Sequence, residues 1–355
     1  MNKYVKLEYV WLDGYDTPNL RSKVKVIPWI PKEDVKPSKL PVWNFDGSST
    51  KQATGDSSEC LLKPVRVYPW NLGHYIVLCE VKNPDGSDHE SNTRATLRKR
   101  AKSCKDEEFW WGFEQEYFVT KDKLPLGFPQ GGYPEPQGLY YCGVGGNQVR
   151  ARSLAEVHLQ TCLGMDIYLT GTNAEVAIGQ WEFQCFAKDT LKACDDLWVS
   201  RYVLYRLAEE AELDIDISPK PVPGDWNGSG CHTNFSNKHM REAGDKDWFM
   251  QLFDRLKVRH QDHIENYGND NHLRLTGKHE TQHIDVFSWG VADRGASIRV
   301  PTEVEQRNWK GYIEDRRPAS NCDPYRVARL ILETATDEKY GIQQDSEGDN
   351  PSTKK

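Results

Sequence analysis

The chain has 355 residues, of which 37% are hydrophobic and 28% charged, as in globular proteins long enough for two domains. A net charge of −7, with no basic block beyond the run at 98–102, argues against nucleic-acid binding. No 18-residue apolar run occurs, and the alternating residues 1–11 do not form a signal segment, so we expect no membrane association. Nine cysteines without a CxxC pair indicate free thiols and a cytoplasmic protein.

The first part of the chain is predicted to be rich in β-strands. Alternation or strand-type composition predicts strands at 4–12, 23–30, 65–70 and 74–81. The run Asn-Pro-Asp-Gly-Ser-Asp at 83–88 is the first clear break in composition. We therefore divide the chain into an N-terminal domain at 1–84, a second domain at 85–342 and a polar, disordered tail at 343–355.

Strands and helices are both predicted after this break. The helices are expected at 92–102, 154–163, 190–213 and 248–266, with a last one beginning at Asp323-Pro324. The strands are expected at 110–120, 181–185, 231–236, 295–300 and 310–318.

The strand at 110–120 carries Phe113-Glu114-Gln115-Glu116-Tyr117. Residues two apart share a face of a strand, so Glu114 and Glu116 point the same way. Two carboxylates on an otherwise apolar strand are costly to bury unless a cation neutralises them, and a divalent cation with oxygen ligands would do so. The alternative is an edge strand that exposes both glutamates to water.

Further ligand-type residues occur in similarly apolar segments. Glu175 and Glu182 are an odd number of residues apart, and Gly179 between them permits the turn that would bring both to one site. His232 shares a strand face with Asn234, although a histidine in this setting is also typical of a hydrogen-bonded core residue.

The sequence His279-Glu280-Thr281-Gln282-His283 matches the HExxH motif of zinc proteases. That chemistry requires a helix, so that both imidazoles face one metal ion. The preceding Gly277 and the β-branched Thr281 argue against a helix here, and the protease remains the least favoured alternative.

Eight segments, in order along almost the whole chain, resemble the glutamine synthetases of the shorter, eukaryotic-like class (type II). They are WNFDGSST (43–50), FEQEY (113–117), GTNAEV (171–176), QWEFQ (180–184), DWNGSGCHTNFS (225–236), RLTGKHET (274–281), ADRGASIR (292–299) and GYIEDRRPASNCDPY (311–325). Residues 145–152 and 185–187 depart from the commonest family wording, and Phe186 and Ala187 are placed where they would line a nucleotide pocket.

The resemblance implies an α+β fold and an oligomer. A small β-grasp-like N-terminal domain would precede a catalytic domain built on a curved antiparallel sheet with flanking helices. The family forms homo-oligomers of stacked rings, commonly decamers, with active sites between neighbouring subunits.

The resemblance also implies two metal sites for Mg²⁺ or Mn²⁺. The first would use Glu116, Glu175 and Glu182, and the second would use Glu114, His232 and Glu314. Ligation by carboxylates and one imidazole suits these ions better than zinc.

The other site residues carried over from the family bind the substrates. Glutamate would be bound by Arg274, Arg316, Trp226, Asn227 and Gly228. Phosphate would be bound by Arg294 and Arg299. The nucleotide would be contacted by Trp110, Asn234, Ser236 and Tyr312. Asp46, with Ser49, would bind ammonium in a neighbouring subunit's site, whereas Asp46-Gly47 read alone is typical of a surface turn. Glu280 would close over the site.

The reaction implied is the ATP-dependent ligation of ammonia to the γ-carboxylate of L-glutamate through γ-glutamyl phosphate, which gives L-glutamine. Its alternatives are a ligase that joins glutamate to another amine, and an inactive ring protein with a structural role, because a fold does not by itself secure a function.

Overall fold

The computed structural model describes residues 3–128 and 138–337. The tail predicted at 343–355 lies outside the described residues. In these two ranges the chain forms two β-sheets flanked by helices, so the predicted α+β class is confirmed. No helix in the described part of the chain is long and apolar enough to cross a membrane.

The first sheet has five strands in the order β2-β1-β5-β4-β3. They are β1 (Tyr4–Leu12), β2 (Leu20–Pro28), β3 (Trp43–Asp46), β4 (Glu59–Asn71) and β5 (His74–Lys82). β1 and β5 run parallel, and the other neighbouring pairs are antiparallel. Alternate residues of β1 face two cores: Tyr9 and Trp11 pack in the core of this sheet, and Val10 packs in the main core.

The second sheet has nine strands and carries the candidate site. They are β6 (Trp110–Lys121), β7 (Leu124–Pro125), β8 (Leu169–Ala174), β9 (Gln180–Ala187), β10 (Asp214–Asp216), β11 (Cys231–Ser236), β12 (Trp289–Val291), β13 (Ile298–Val300) and β14 (Ile313–Asp315). The main path is β12-β13-β14-β11-β6-β9-β8, with β7 and β10 also paired to β6. All pairs are antiparallel except β12 with β13. The boundary set at residue 84 falls between the two sheets and stays a prediction.

Eight helices complete the described part of the fold. They are α1 (Thr93–Ser103), α2 (Arg152–Gly164), α3 (Thr190–Glu210), α4 (Lys238–Glu242), α5 (Lys246–Val258), α6 (His260–Ile264), α7 (Thr302–Gln306) and α8 (Pro324–Thr336). The N-cap side chains of Asn92 and Asp323 accept backbone hydrogen bonds, which fixes the predicted starts of α1 and α8.

The single helix predicted at 248–266 is wrong in one respect, because the chain breaks into α5 and α6 at Arg259. The guanidinium of Arg259 donates to Thr334 and Glu333 of α8. A tertiary contact of this kind has no local signature in the sequence.

The central strand β6 separates an apolar layer from a polar cavity. Phe113, Gln115 and Tyr117 are fully buried on the face covered by the helices. Gln115 is satisfied there, since it accepts from Nε of Arg201 at 2.8 Å and donates to the backbone. The opposite face of β6 carries Glu114 and Glu116, as the alternation predicts.

Glu8 joins the first sheet to helix α3. Its buried carboxylate accepts a hydrogen bond from the Tyr202 hydroxyl at 2.5 Å, contacts Nε2 of His74 at 2.7 Å and pairs with Arg206. Burial opposes ionisation, but these hydrogen bonds and the charge of Arg206 lower the pKa of Glu8 to about 2.

Replacing Glu8 with glutamine should cost about 2 kcal/mol of unfolding free energy at pH 7. The folded pKa lies below the unfolded value, so this contribution is present above about pH 4.5 and is lost as the pH falls towards 2. Acid unfolding followed by circular dichroism should show a smaller loss of stability over this interval in Glu8→Gln than in the parent. Glu33→Gln, at an exposed position, is the control, and equal pH dependence in all three proteins would contradict the assignment.

Candidate active site

Strand register gathers the predicted metal-binding residues on one face of the second sheet. Glu114 on β6 lies opposite His232 on β11, and Glu116 lies opposite Glu182 on β9. Glu314 enters from β14, which pairs with the other edge of β11. Residues opposite one another on a sheet face have Cβ atoms about 5 Å apart, so four adjacent strands deliver these groups to one place.

Glu175 reaches the same site through a tight connection between β8 and β9. Its backbone N–H donates to the carbonyl of Gln180 at 2.9 Å, which closes the turn. Gly179 in this turn has φ +82°, and a Cβ there would lie 2.7 Å from the carbonyl oxygen of Leu126. Glycine is therefore required both for the backbone conformation and for the space. The turn that Gly179 was expected to permit is present.

Glu114, His232 and Glu314 form a group that can hold a cation. Nδ1 of His232 lies 3.5 Å from a carboxylate oxygen of Glu114 and 3.3 Å from one of Glu314. One ligand atom from each residue lies within 4.8 Å of the others. Burial, and then the charge of Arg316, keep the pKa of His232 well below its usual value, so the imidazole is neutral and able to ligate a metal ion.

Glu116, Glu175 and Glu182 form a second buried group of carboxylates. Burial raises the pKa of all three above the usual glutamate value. The charges of neighbouring glutamates, Glu114 among them, add to this effect, and the charge of Arg274 partly opposes it at Glu116. The amides of Asn173 and Gln184 donate to Glu175 and Glu182, but neither amide supplies a positive charge. Buried carboxylates in this setting are costly unless a cation neutralises them, although their oxygens do not lie as close to one another as the ligand atoms of Glu114, His232 and Glu314.

The carboxylates line a cavity of about 260 Å³ together with four arginines. Arg316 and Arg299 donate to the two oxygens of Glu314 at 2.5 and 3.0 Å. Arg274 contacts Nε2 of His232 at 2.9 Å, and Arg294 pairs with Glu280 at the same distance. Guanidinium groups so placed can bind carboxylate or phosphoryl oxygens.

The segment before β11 forms another wall of this cavity. Asn227 and Gly228 line it, and a Cβ at Gly228 would lie 2.4 Å from the carbonyl oxygen of Pro219. Trp226, predicted as a glutamate contact, is not among the residues that line the cavity. Its indole is buried in a small apolar cluster and packs against Phe128, with ring centroids 5.3 Å apart.

A second cavity, of about 370 Å³, adjoins the first and shares Glu114 with it. The residues predicted to contact the nucleotide all line it: Trp110, Asn234, Ser236 and Tyr312. Its lining is largely aromatic and apolar, whereas the first cavity is lined by charged groups. The two cavities therefore suit the two ends of a nucleotide.

Arg241 and Tyr141 are among the lining residues that the sequence reasoning missed. Arg241 donates to the carbonyl and hydroxyl oxygens of Ser236, and its guanidinium carbon lies 4.0 Å from the ring centroid of Trp110. Tyr141 lines the first cavity. Neither lies in a spacing pattern that indicates a ligand.

The HExxH match does not form a zinc site. Residues 274–288 contain no helix, and both His279 and Glu280 have positive φ. Nε2 of His279 lies 2.9 Å from Asp225, whereas Nδ1 of His283 faces Asp285 at 3.6 Å. The two imidazoles therefore have different partners, while Glu280 lines the first cavity.

Asp46 and Ser49, like Trp226, are predicted site residues that line neither cavity. Asp46 ends β3 and caps a short 3₁₀ helix (Gly47–Thr50), where it accepts from the backbone N–H of Ser48 at 3.0 Å and from its hydroxyl at 2.6 Å. Both Asp46 and Ser49 are exposed. Within one chain they therefore form a surface feature.

A cluster of carboxylates that could hold a cation, four arginines and an adjoining aromatic cavity are the arrangement expected of an enzyme of metal-dependent phosphoryl transfer. Residues 90–250 match the family "Glutamine synthetase, catalytic domain". The chain is 52% identical over 341 residues to a glutamine synthetase of Bradyrhizobium diazoefficiens, covering 94% of this chain and 96% of the relative. It is 47% identical to a cytosolic glutamine synthetase isozyme of Pinus sylvestris, with 92% of each chain covered.

A solved structure shares the fold. The cryo-EM structure of a Plasmodium falciparum glutamine synthetase superposes with a TM-score of 0.75 at 17% identity, over 94% of this chain and 72% of that one. The chain thus belongs to the glutamine synthetase family, as the sequence resemblance predicted. Members of this family use ATP and divalent metal ions.

Proposed function

We propose that the two cavities together catalyse the ATP-dependent synthesis of L-glutamine from L-glutamate and ammonia through γ-glutamyl phosphate. The observation that carries the proposal is the order of groups along one face of β6. Trp110 and Gly112 lie in the aromatic cavity, and Glu114 and Glu116 lie in the charged one. Alternate residues of a strand are roughly 7 Å apart, so a nucleotide laid along this face would place its phosphates among the carboxylates and arginines.

The metal ions proposed are Mg²⁺ or Mn²⁺. Glu116, Glu175 and Glu182 would hold one, and Glu114, His232 and Glu314 would hold the other. Two divalent cations would offset four of the five negative charges that these glutamates carry when ionised. Bound there, the cations would neutralise charge on phosphoryl oxygens.

Arginines from several elements are proposed to bind the anionic groups of both substrates. Arg294 and Arg299 would bind the transferring phosphoryl group and stabilise the charge that spreads over its oxygens. Arg274 and Arg316 would orient glutamate, with Asn227 and Gly228 lining its site. The γ-carboxylate of glutamate would then attack the γ-phosphate of ATP and release ADP, and ammonia would displace phosphate from the acyl phosphate.

Ammonium is proposed to bind at Asp46 and Ser49 of a neighbouring subunit. Hydrogen bonds from Ser48 lower the pKa of Asp46, so its carboxylate is charged at neutral pH and able to attract a cation. Asp46 would also accept the proton that ammonium must lose. This arrangement requires a homo-oligomer with sites between subunits, and we propose stacked rings of ten chains.

Glu280 is proposed to shield the acyl phosphate from water, because its ion pair with Arg294 places it at the charged cavity. Glu280→Ala should therefore release phosphate in excess over glutamine, by roughly two- to tenfold, as the acyl phosphate hydrolyses. Measuring phosphate and glutamine in the same reaction tests this. Asp285→Ala, at an exposed position in the same loop, should keep the ratio near one. An unchanged ratio in Glu280→Ala would refute the shielding role.

One assay tests the proposed reaction as a whole. Purified protein is given ATP, Mg²⁺ or Mn²⁺ and glutamate, with ammonium, with alkylamines or with no amine, and phosphate and glutamine are measured. Glutamine formed only with ammonium is the expected result. Preference for an alkylamine would favour an amine ligase, no turnover would favour a structural ring protein, and peptide cleavage blocked by a zinc chelator would favour the protease.

We also propose a cytoplasmic location. The relative from Pinus sylvestris is described as a cytosolic isozyme. All nine cysteines are free thiols, which is typical of a reducing compartment.

A further inference from the structure

We propose that Phe186 is a specificity-determining residue, against which the nucleotide base stacks, in a slot whose floor is Gly112. The inference rests on the proposed function, because it assigns a role within the proposed nucleotide cavity. The resemblance places Phe186 beside a nucleotide pocket, but it gives neither a stacking role for the phenyl ring nor the gap at Gly112.

The slot begins with the row of residues that crosses the sheet at Gly112. This glycine pairs with Asn234 of β11 on one side and with Phe186 of β9 on the other. It shares a face with Glu114, and all four residues line the second cavity. The glycine has no side chain to fill the space between Asn234 and Phe186, so the row has a gap at its centre.

Trp110 is the larger aromatic residue of the cavity, but cations lie over its ring. The guanidinium carbon of Arg241 is 4.0 Å from the ring centroid, and Nζ of Lys188 is 4.3 Å from it. Both distances are typical of cation–π contacts. A base that stacked on a covered face would have to displace the cation there.

Phe186 is held in place by two edge-to-face contacts. Its ring centroid lies 6.3 Å from that of Trp110 and 6.2 Å from that of Tyr168, at interplanar angles of 87° and 86°. Neither contact places a parallel ring over Phe186, and the residue is half-buried at the cavity. A fixed phenyl ring that keeps a stacking surface is suited to a planar base.

Tyr312 stands on the opposite side of the same gap, just before β14. Three strand spacings separate β14 from β9, or about 14 Å between the backbones. A base lying over Gly112 would meet Phe186 at one side and Tyr312 at the other. The charged carboxylates begin one row further along β6, where the phosphates would lie.

The test separates binding of the base from binding of the phosphates. Isothermal titration calorimetry with Mg²⁺ compares the ATP analogue AMPPNP with inorganic tripolyphosphate, which has no base. Phe186→Gly should weaken AMPPNP binding about tenfold and leave tripolyphosphate binding unchanged. Phe186→Tyr keeps the ring and should restore the affinity of the parent. In turnover, Phe186→Gly should raise the KM for ATP and leave the KM for glutamate unchanged.

Gly112→Val provides a second, independent variant. A Cβ at Gly112 would lie 3.5 Å from that of Asn234, an ordinary contact, and a β-branched residue suits a strand, so this variant should fold. Its side chain would fill the gap and should also weaken AMPPNP binding at least about tenfold. Tyr168→Phe, which retains the edge-to-face ring, is the control and should bind as the parent does.

Equal AMPPNP affinity in the parent and in Phe186→Gly would overturn the inference, as would equal losses for AMPPNP and tripolyphosphate. Either result would leave glutamine synthesis by the parent untouched. A different outcome is that Phe186→Gly loses affinity for AMPPNP but not for tripolyphosphate, while the parent protein makes no glutamine. That outcome would refute the proposed function and would still support base stacking on Phe186.

Discussion

Replacing Glu114 with alanine is expected to reduce glutamine formation by at least about a thousandfold while the protein stays folded. The carboxylate lies 3.5 Å from Nδ1 of His232 and accepts a hydrogen bond from Asn234 at 2.7 Å, so it is central to the second proposed metal site. It is also shared by both cavities. Its loss should therefore disturb metal binding and phosphate placement together.

Three measurements complete this prediction. Glutamine formation is assayed at saturating Mg²⁺ or Mn²⁺, metal binding is followed by calorimetry, and circular dichroism reports the fold. Glu114→Gln keeps the shape and removes the charge, so it should lose nearly as much activity as the alanine variant. Asp214→Ala, at an exposed position on β10 of the same sheet, is the matched control and should be fully active. Parental activity in Glu114→Ala would refute the metal assignment.

Mixing Asp46→Ala with Glu116→Ala subunits is expected to restore activity that neither variant has alone. Asp46 is exposed on the first sheet, whereas Glu116 is buried in the charged cavity of the second. If Asp46 acts in a neighbouring chain, a site is complete when an Asp46→Ala subunit supplies the cavity and a Glu116→Ala subunit supplies Asp46. Random mixing at equal amounts should rebuild about a quarter of the sites.

The complementation requires conditions in which subunits exchange, which labelled subunits can verify by energy transfer. In the control mixture Glu33→Ala, at an exposed position between β2 and β3, replaces Asp46→Ala, and the activity should be that of the intact sites in the Glu33→Ala chains. Exchange without recovery in the Asp46→Ala and Glu116→Ala mixture would place Asp46 outside the site of a neighbour. Sedimentation velocity on the same samples measures the size of the assembly and tests the proposed ring of ten.

Local rules in the sequence were sufficient for most individual elements. Strand β1 was expected at 4–12, and β11 at 231–236, and both are observed there because alternation and turn residues mark their ends. Capping side chains fixed the starts of α1 and α8. The break at Arg259 was not foreseen, because the partner of its guanidinium lies on α8, far along the chain.

The candidate site also has residues that the sequence predicted and residues that only the fold could place. Alternation placed Glu114 and Glu116 on one face of β6, and Gly179 indicated the turn that carries Glu175. Residues alone left open whether His232 is a core histidine and whether Asp46 belongs to a surface turn. The resemblance indicated the family, and the described fold then showed that Trp226 is buried in a small apolar cluster and does not line the cavity.

The sequence by itself determined the strand faces, the helix caps, the motif order and hence the family. Each of these depends on side chains a few residues apart or on the residue order itself. Only the tertiary structure decided which carboxylates converge, how Arg241 covers Trp110, and that Phe186 and Asn234 flank the gap at Gly112. Those relations depend on pairing between strands separated by many residues, and register across a sheet is fixed by packing of the whole core rather than by local preference.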